Sequence, residues 1–484
     1  MHKVLTMKEG KPRVRLTACD TKPRAHGETF APTLRPTSLR VLVATTANPT
    51  VTAHTMDVEA AYLHVDLDGV GNDGRPLELY VRLPSELLNS GEEGMVGLVV
   101  KAMYGVKEAG NLWNADYTGK VKSAGFVQSE YDPCVFIKGD DQGVVAVGVH
   151  VDDSFVSNGN HKIFEQLLAT LRESYTINVK DGLHHRFLGI DIEVNVQERW
   201  ASMSQKGYAE TIVREFGMEG ARLRSTPWPE GLLLNKEGVP GAPEEPLGAE
   251  EAARYRAAVA SILFLYTQTR PELGYAMSQL TRWSSSPRPS HVTGLKGVLA
   301  FIAGTTDMLW RSRSGGDGAA AATTVQVWSD SDFATCIETR KSIGGHAGQL
   351  QGGLMAFVSW SAKQQSTVAL STLDAEYIQQ SEGAREAFWL RGFLGELSML
   401  QEEPTPLRVD NAGAMALAQR KAFYDRSKHL DVKCHYTREM VATGVVELLR
   451  VDSADNVADV FTKPLGRIKF QKFLAYLLDP GSSQ

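Results

Sequence analysis

The most marked pattern along the chain is an apolar, β-branched run over residues 144–151 that ends abruptly in Asp152 and Asp153. This run predicts a buried strand followed by a tight turn that carries two carboxylates. A second strand is predicted around residues 77–83, where polar and apolar positions alternate. Both strands belong to a first unit that extends to about residue 225.

The remainder of the chain changes from helical to alternating patterns. Residues 254–283 predict two apolar helices, because their periodicity is interrupted just before Pro271. In the C-terminal part, the pattern predicts strands at about residues 325–328, 407–409 and 445–451, and a strand pair that ends near residue 360. It also predicts one long helix that begins at about residue 372. This alternation is typical of a mixed sheet flanked by helices.

A glutamate heads one stripe of the helix predicted from about Thr372. The stripe is mostly apolar in its later half and consists of positions 376, 380, 383, 387, 390, 394 and 397. A glutamate on a core-facing stripe needs a partner, and a metal ion would supply one. The alternative is an acid placed near a helix N-terminus because the macrodipole favours it there.

Two segments predict linkers and divide the chain into three domains. Residues 226–252 are rich in Pro, Gly and Glu, and residues 311–324 are small and predicted to be flexible. The predicted domains are therefore residues 1–225, 226–310 (linker and helices) and 322–484. A length of 484 residues is consistent with about three domains.

Composition and charge narrow the class of protein. Contents of 43% hydrophobic and 22% charged residues exclude wholesale disorder. Because the net charge is −6, a nucleic-acid-binding function would need local basic surfaces. The four cysteines stand far apart, which argues against a zinc site or a disulfide framework. Neither a signal peptide nor a membrane-spanning run is seen, so we expect a soluble, intracellular protein of the cytoplasm with no membrane partner.

Two sets of acidic residues are candidates for metal-dependent chemistry. Asp152 and Asp153 repel each other unless a cation is near, and Asp57 lies upstream of them in HTMDVEAAYL. Asp330 and Asp410 follow predicted strands of the C-terminal part. Each acid taken alone is more typical of a turn. Held together, such carboxylates bind the two Mg²⁺ ions, about 4 Å apart, that nucleotidyl transfer and phosphodiester hydrolysis use.

The first unit resembles copia-type reverse transcriptases of LTR retrotransposon Pol polyproteins. The matching segments follow the family's order: RVRLTACDTKP, ETFAPTLRPTSLRVLVA, MDVEAAYLHVDL, LYVRLP, KAMYGVKEAGNLW, GFVQSEYDPCVFIK, VGVHVDD and RFLGIDIEV. The C-terminal part resembles the ribonuclease H of the same elements, over segments that include VWSDSD, STLDAEY, VDNAGAMALA and NVADVFTKPL. The resemblance implies a multidomain α+β fold. It would comprise a right-hand polymerase with fingers and palm, a helical thumb or connection, and a ribonuclease H-like α/β domain.

On this resemblance Asp57, Asp152 and Asp153 take the metal-binding positions of the polymerase. Four further residues take nucleotide-binding positions: Arg13, Arg15, Tyr62 and Gly105. The alternatives are solvated side chains for the two arginines, a core tyrosine and a turn glycine. The segment Phe187, Leu188 and Gly189 is similar to the primer grip, although a short apolar turn also accounts for it.

The resemblance also places four metal ligands in the C-terminal domain: Asp330, Glu376, Asp410 and Asp459. Asp455 is the competing candidate for the fourth position. A basic segment with Arg426, Lys428 and His429 would hold the phosphates of a hybrid, or else is an ordinary solvated face. The implied cofactor is Mg²⁺, with Mn²⁺ as the other ion. The implied partners are an RNA template, a DNA primer, an RNA–DNA hybrid and dNTPs, and self-association is left undetermined.

Three departures from the family pattern leave other functions open. His150 replaces the usual tyrosine before V-D-D, Glu108–Gly110 replaces the usual Q-A-P, and the segment before Arg13 is short. The first hypothesis is a polymerase that also hydrolyses the RNA strand of hybrids. The second is a ribonuclease H with an inactive polymerase region. The third is a decayed or co-opted element that binds nucleic acid without catalysis, and the presence of all seven acids argues against it.

Overall fold

The structure is a computed structural model of the chain. It describes residues 2–8, 11–20, 28–67, 78–83, 94–229, 231–315, 322–419 and 428–480, with the side chains of 2–8, 11–15 and 428–434 left out of the description. Among the described helices, none combines the length and the apolar character needed to cross a bilayer.

The strands have the following bounds in chain order: β1 His2–Lys8, β2 Lys11–Thr17, β3 Thr52–Val58, β4 Tyr80–Arg82, β5 Val96–Leu98, β6 Val127–Gln128, β7 Val135–Asp140, β8 Gly143–His150, β9 Asp153–Asn158, β10 Ile177–Lys180, β11 His184–Phe187, β12 Ile190–Asn195, β13 Trp200–Ser204, β14 Gly238–Val239, β15 Ala242–Pro243, β16 Leu309–Ser314, β17 Thr323–Asp332, β18 Ile343–Gly352, β19 Leu354–Gln364, β20 Thr405–Val409 and β21 Val446–Arg450.

The α-helices are α1 Pro36–Thr45, α2 Ala109–Ser123, α3 His161–Arg172, α4 Lys206–Glu215, α5 Ala249–Gln268, α6 Gly274–Leu280, α7 Pro289–Ala303, α8 Thr372–Glu396, α9 Ala412–Gln419, α10 Lys428–Ala442, α11 Asp459–Thr462 and α12 Arg467–Leu478. Short 3₁₀ helices span Ala61–His64, Pro271–Leu273 and Thr281–Trp283.

The first compact unit comprises Met1–Arg35 and His54–Asp181. Its main sheet has the strand order β10-β3-β9-β8-β7-β6. Apolar side chains of this sheet pack with α2 and α3, through buried residues such as Trp113, Phe164 and Leu167. Since β8 and β9 form an antiparallel hairpin next to β3, the unit brings the ends of β3, β8 and β9 together.

The second compact unit comprises Pro36–Ala53 and Gly182–Gln484. Its sheet has nine strands in the order β11-β12-β13-β16-β19-β18-β17-β20-β21. Neighbouring strands are antiparallel from β11 to β17, whereas β17, β20 and β21 run parallel. Helix α8 lies closely over β17 and β20 because Gly383 has no side chain there. A Cβ at Gly383 would come within 2.9 Å of Leu407.

Helices α5, α6 and α7 form a second core in this unit, with buried residues such as Ile262, Leu265, Met277 and Val298. The predicted break before Pro271 is confirmed, because α5 ends at Gln268 and a short 3₁₀ helix precedes α6. The start of α8 at Thr372 is confirmed as well. Trp228 and Leu234, within the segment predicted as a linker from 226, are buried in this helical core.

The prediction of a flexible linker over residues 311–324 is wrong at its start. Residues up to Ser314 belong to β16, which pairs with β13 and β19. Trp310 and Ser312 are buried, whereas Arg311 and Arg313 pair with Asp479. Because the inward-facing residue Ser312 is polar, the sequence does not show the alternation of hydrophobic and polar residues that is typical of a strand. The limits of the three predicted domains stay predictions, because the division into two compact units follows packing and does not test them.

Candidate active sites

Three carboxylates of the second unit converge into one cluster. Asp330, Asp410 and Asp459 each contribute one oxygen atom to a group in which all the atoms lie within 4.8 Å of one another. Strand register explains two of them, because Trp328 of β17 is paired with Arg408 of the parallel strand β20. Two residues further along each strand, Asp330 and Asp410 therefore lie side by side on the same face. Asp330 lies inside β17 rather than after a strand, which corrects the predicted strand end.

Glu376 reaches the same place from the first turns of α8. The side chain is 4% exposed, and its Oε1 accepts a hydrogen bond from the backbone N–H of Ser331 at 3.3 Å. Its Oε2 is buried and has no hydrogen-bond partner among the described residues. The predicted core-facing stripe is confirmed, since its positions from Gln380 to Leu397 are also buried.

The buried carboxyl groups hold their protons more tightly than carboxyl groups in water. Burial, followed by the charges of Asp330 and Asp410, raises the pKa of Glu376 to about 9. Burial raises the pKa of Asp330 to about 7, although Lys463 opposes the shift. The same causes raise the pKa of Asp332, which lines the same cavity, to about 6. A cluster of carboxyl groups whose pKa values are raised in this way is typical of a functional site.

Two lysines neutralise part of the cluster. The Nζ of Lys463 lies 3.2 Å from Asp330 Oδ1 and 2.6 Å from Asp459 Oδ1. Lys469 forms a second ion pair with Asp459, and the hydroxyl of Thr462 donates to Asp330. Burial would lower the pKa of Lys463, but the two aspartates raise it above its ordinary value. The lysines were not predicted from the sequence. Their signal would have been the four-residue spacing from Asp459 to Lys463, which lie on one helical face.

The geometry favours Asp459 over Asp455 as a member of the cluster. Asp459 is 2% exposed and belongs to the convergent group. Asp455 is paired instead with Lys472, and both side chains are 58% exposed. The cavity beside the cluster is lined by Asp330, Glu376 and Asp410 together with polar residues such as Asn411 and Ser453. The hydroxyl of Ser453 donates to Asp410 at 2.9 Å.

The acids of the first unit lie at the meeting point of β3, β8 and β9. Asp57 is the penultimate residue of β3, Asp152 lies in the turn, and Asp153 begins β9. The backbone N–H of Val58 donates to the carbonyl of Asp152 at 3.1 Å, which ties β3 to the turn. Val151 adopts a left-handed φ of 60°, which is rare for a β-branched residue.

Asp57 and Asp153 lie on the sheet face opposite the helical core. Met56 and Val58 of β3, and Val156 of β9, belong to that core. Since successive residues of a strand point to opposite faces, Asp57 and Asp153 point away from it. In the part of the chain that the structure describes, the three acids do not all meet within the 4.8 Å that joins the other cluster.

Two tyrosines line the approach to Asp152. The rings of Tyr62 and Tyr104 pack edge to face with centroids 4.9 Å apart, and the Tyr104 hydroxyl lies 3.5 Å from Asp152 Oδ2. Burial, then the neighbouring Tyr104 and Asp152, raises the pKa of Tyr62. Tyr104 was missed, although it lies in the MYGVKEA segment. Gly105 has a φ of 89°, and a Cβ there would lie 2.0 Å from the carbonyl oxygen of Ala18. The glycine therefore permits close backbone contact.

For the predicted basic residues, the structure describes the backbone at most. Arg13 and Arg15 belong to β2, but their side chains lie outside the described part. Arg426 lies outside the described residues, and Lys428 and His429 are described only as backbone of α10.

The predicted primer-grip segment is a hairpin between β11 and β12. Leu188 and Gly189 form its two-residue turn, and both have positive φ values, 51° and 76°, as a type I′ turn requires. Phe187 is only 2% exposed. Its side chain therefore anchors the turn, and Leu188 and Gly189 are the parts that a ligand can reach.

His150, the residue that departs from the family pattern, ends β8 beside these acids. Its Nδ1 is buried without a hydrogen-bond partner among the described residues. Burial lowers the pKa of His150, and the nearby Asp152 opposes the shift. Burial therefore favours the neutral form of the imidazole next to the acidic turn.

Comparison with known proteins identifies relatives over almost all of the chain. The reverse transcriptase (RNA-dependent DNA polymerase) family matches residues 2–229. The Retrovirus-related Pol polyprotein from transposon TNT 1-94 of Nicotiana tabacum is 31% identical over 92% of this chain and 32% of its own length. The corresponding polyprotein from transposon RE2 of Arabidopsis thaliana is 27% identical over 93% of this chain and 29% of its own length.

The chain thus spans about a third of the length of these curated relatives. Among solved structures, the foamy viral protease-reverse transcriptase in complex with dsDNA aligns over 83% of this chain and 68% of its own, at 11% identity. Its TM-score of 0.21 adds nothing to the assignment. On the sequence matches, residues 2–229 form a reverse transcriptase domain, and the chain is homologous to a segment of copia-type retrotransposon Pol polyproteins.

Proposed function

We propose that the chain is an RNA-directed DNA polymerase that also hydrolyses the RNA strand of RNA–DNA hybrids, with a separate carboxylate site for each activity. The observation that carries the proposal is the set formed by the buried Asp330, Glu376 and Asp459 with the half-buried Asp410, in a chain whose residues 2–229 match the reverse transcriptase family.

The chemistry of this carboxylate set suits a hard divalent cation. Its donors are all carboxylate oxygens, which Mg²⁺ and Mn²⁺ prefer. The unpartnered Oε2 of Glu376 and the raised pKa values of Glu376 and Asp330 indicate negative charge that the protein alone does not fully stabilise. When bound, such ions would stabilise the charge that develops as a phosphodiester is attacked by water. Asp330, Glu376, Asp410 and Asp459 would hold them.

The sheet order supports a ribonuclease H-like domain in the C-terminal part. Strands β19, β18 and β17 are antiparallel neighbours, and β20 and β21 continue from β17 in parallel. This arrangement places Asp330 on β17 and Asp410 directly after the neighbouring strand β20, with α8 delivering Glu376 from one face. The substrate would be an RNA–DNA hybrid.

For polymerisation, Asp57, Asp152 and Asp153 would hold the ions that activate the primer 3′-hydroxyl. Tyr62, which packs on Tyr104 beside Asp152, would contact the sugar of the incoming dNTP. Arg13 and Arg15 would bind its triphosphate, with Gly105 keeping the backbone close to β2. Leu188 and Gly189 would contact the DNA primer on an RNA template.

A ribonuclease H with an inactive polymerase region is the second candidate. The looser arrangement of Asp57, Asp152 and Asp153 favours it, as does the half-buried His150 at the family's tyrosine position. Primer extension on an RNA template distinguishes the two candidates. Asp57→Asn should abolish extension, whereas Asp66→Asn should not, because Asp66 is 62% exposed and paired with Lys101.

The nuclease half is tested with a matched pair of variants and a labelled RNA–DNA hybrid. Asp459→Asn should abolish RNA cleavage, because it removes a member of the cluster. Asp455→Asn should cleave at nearly the wild-type rate, because Asp455 pairs only with Lys472 at the surface. Loss of cleavage in the second variant alone would reject the assignment of Asp459.

A further inference from the structure

We propose that Arg222, Arg224 and Lys296 form a binding site for the phosphodiester backbone of a nucleic acid, with residues that belong to neither set of carboxylates. The inference rests on the proposed function, since it identifies a surface that would hold the template or primer strand. Because the net charge is −6, a polymerase would need local basic surfaces to bind nucleic acid, and these three residues would supply one.

The site is a cavity between the segment that follows α4 and the middle of α7. Arg222, Arg224 and Pro229 line it from the segment, and Thr293 and Lys296 line it from the helix. Two glycines let the segment approach α7 closely. A Cβ at Gly297 would lie 2.8 Å from Pro229, and a Cβ at Gly294 would lie 3.0 Å from Trp228.

The segment is also held by its own hydrogen bonds. The Trp228 indole N–H donates to the carbonyl of Leu232 at 3.1 Å, and the Thr226 hydroxyl donates to the carbonyl of Trp228 at 3.3 Å. Trp228 is 4% exposed, so it anchors the segment in the helical core. The cations are therefore presented by a structured segment and a helix.

Among the described residues, no carboxylate neutralises the three cations. Within that part of the chain the side chains of Arg222, Arg224 and Lys296 form neither an ion pair nor a hydrogen bond, and all three are exposed. None of the described residues that line the cavity is acidic. Elsewhere in this unit exposed lysines such as Lys472 do find an aspartate. Like charges that converge on one concavity attract an anion.

The other lining groups favour phosphate as that anion. The hydroxyl of Ser225 adds a neutral donor to the three cations, whereas the hydroxyls of Thr226 and Thr293 already donate to the carbonyls of Trp228 and Pro289. Arginine and lysine with hydroxyl donors are the usual contacts to phosphate oxygens. None of the described lining residues is aromatic, so the cavity offers nothing on which a base could stack. The site would therefore hold a backbone without reading its sequence.

A salt series of equilibrium binding tests the proposal. The probe is a fluorescein-labelled RNA–DNA hybrid in Ca²⁺ buffer, to keep the strands intact, and the test variant carries Arg222→Gln, Arg224→Gln and Lys296→Gln. The logarithm of affinity against the logarithm of salt concentration should lose about 2 to 3 units of slope, since each phosphate contact contributes about 0.9. Lys296→Gln alone should lose about 1, which keeps the test valid if the triple variant is poorly folded.

The control variant carries Arg254→Gln, Arg256→Gln and Lys162→Gln. It removes the same charges from exposed positions on α5 and α3 that form no ion pair in the described chain. Its slope should match that of the wild type. Binding of a labelled dNTP should be unchanged in the test variant, since a free triphosphate bound here would point to a nucleotide site instead.

The outcomes separate the two proposals. If the wild type binds the hybrid and the test variant keeps the control's slope, the backbone site is rejected while the proposed function stands. If the wild type itself does not bind the hybrid, the proposed function fails, and the site fails with it. If the test variant loses dNTP binding but keeps hybrid binding, the cavity is a nucleotide site and the backbone assignment is overturned.

Discussion

Lys463 and Asp330 form an ion pair in which Nζ lies 3.2 Å from Oδ1 and the carboxylate side chain is only 1% exposed. The same ammonium group lies 2.6 Å from Asp459. The lysine therefore supplies positive charge between two carboxylates that would otherwise repel each other. In the proposed ribonuclease H site, this charge would share the work of neutralisation with bound metal ions.

Lys463→Met should lower the free energy of unfolding in metal-free buffer by about 2 kcal/mol, because it leaves the buried Asp330 without a cation and Asp459 with only Lys469. Mg²⁺ should stabilise this variant more than the wild type, since the ion would replace the lost charge. Thermal unfolding with and without Mg²⁺ measures both effects. Lys472→Met is the control, and loss of its exposed pair with Asp455 should cost less than ~1 kcal/mol. Equal losses in the two variants would contradict the role of Lys463.

The buried carboxyl group of Glu376 should make the stability of the protein depend on pH. Its pKa is raised from 4.5 to about 9, chiefly by burial, so the folded chain binds more protons than the unfolded chain between these values. Stability in metal-free buffer should therefore fall as pH rises from about 4.5 to about 9. Glu376→Gln, which cannot ionise, should flatten this fall by on the order of 1–3 kcal/mol across the range. A pH series of thermal midpoints measures it, and an unchanged slope would show that Glu376 is not the titrating group.

The stripe that begins at Glu376 could be predicted from the sequence because helical periodicity is local. Residues four positions apart share a face whatever the rest of the chain does. Asp330 and Asp410 were identified as well, through motifs in which each acid follows apolar residues. Their side-by-side placement depends on the parallel pairing of β17 with β20, which brings together residues 80 positions apart in the sequence. No local pattern encodes that pairing.

The same limit explains what was missed. Lys463 is a neighbour of the carboxylate cluster only because α11 packs against β17 and β18, and its sequence surroundings resemble a loop before Pro464. Tyr104 was overlooked because its role depends on contacts with Tyr62 and Asp152 from other elements. Strand β16 was taken for a linker because Ser312 occupies an inward position.

In the first unit, the backbone around Gly105 leaves no room for a side chain. Gly105→Ala should destabilise the protein by at least ~2 kcal/mol, because a Cβ would lie 2.0 Å from the Ala18 carbonyl oxygen in addition to the strain of a φ of 89°. Gly94→Ala is the matched control, since Gly94 has a φ of 86° but nothing within 4 Å of a Cβ. It should cost only the ~1 kcal/mol of left-handed strain. Chemical denaturation compares the two, and equal costs would mean that the contact with Ala18 yields readily.

A single-tube assay tests whether one chain carries two independent active sites. Primer extension on a labelled RNA template in Mg²⁺ is scored together with degradation of that template, for the wild type, Asp152→Asn and Asp410→Asn. We expect that Asp152→Asn loses extension but still cleaves RNA in a pre-formed hybrid, and that Asp410→Asn extends the primer but leaves the RNA intact. Loss of both activities in either variant, or neither activity in a well-folded wild type, would contradict it.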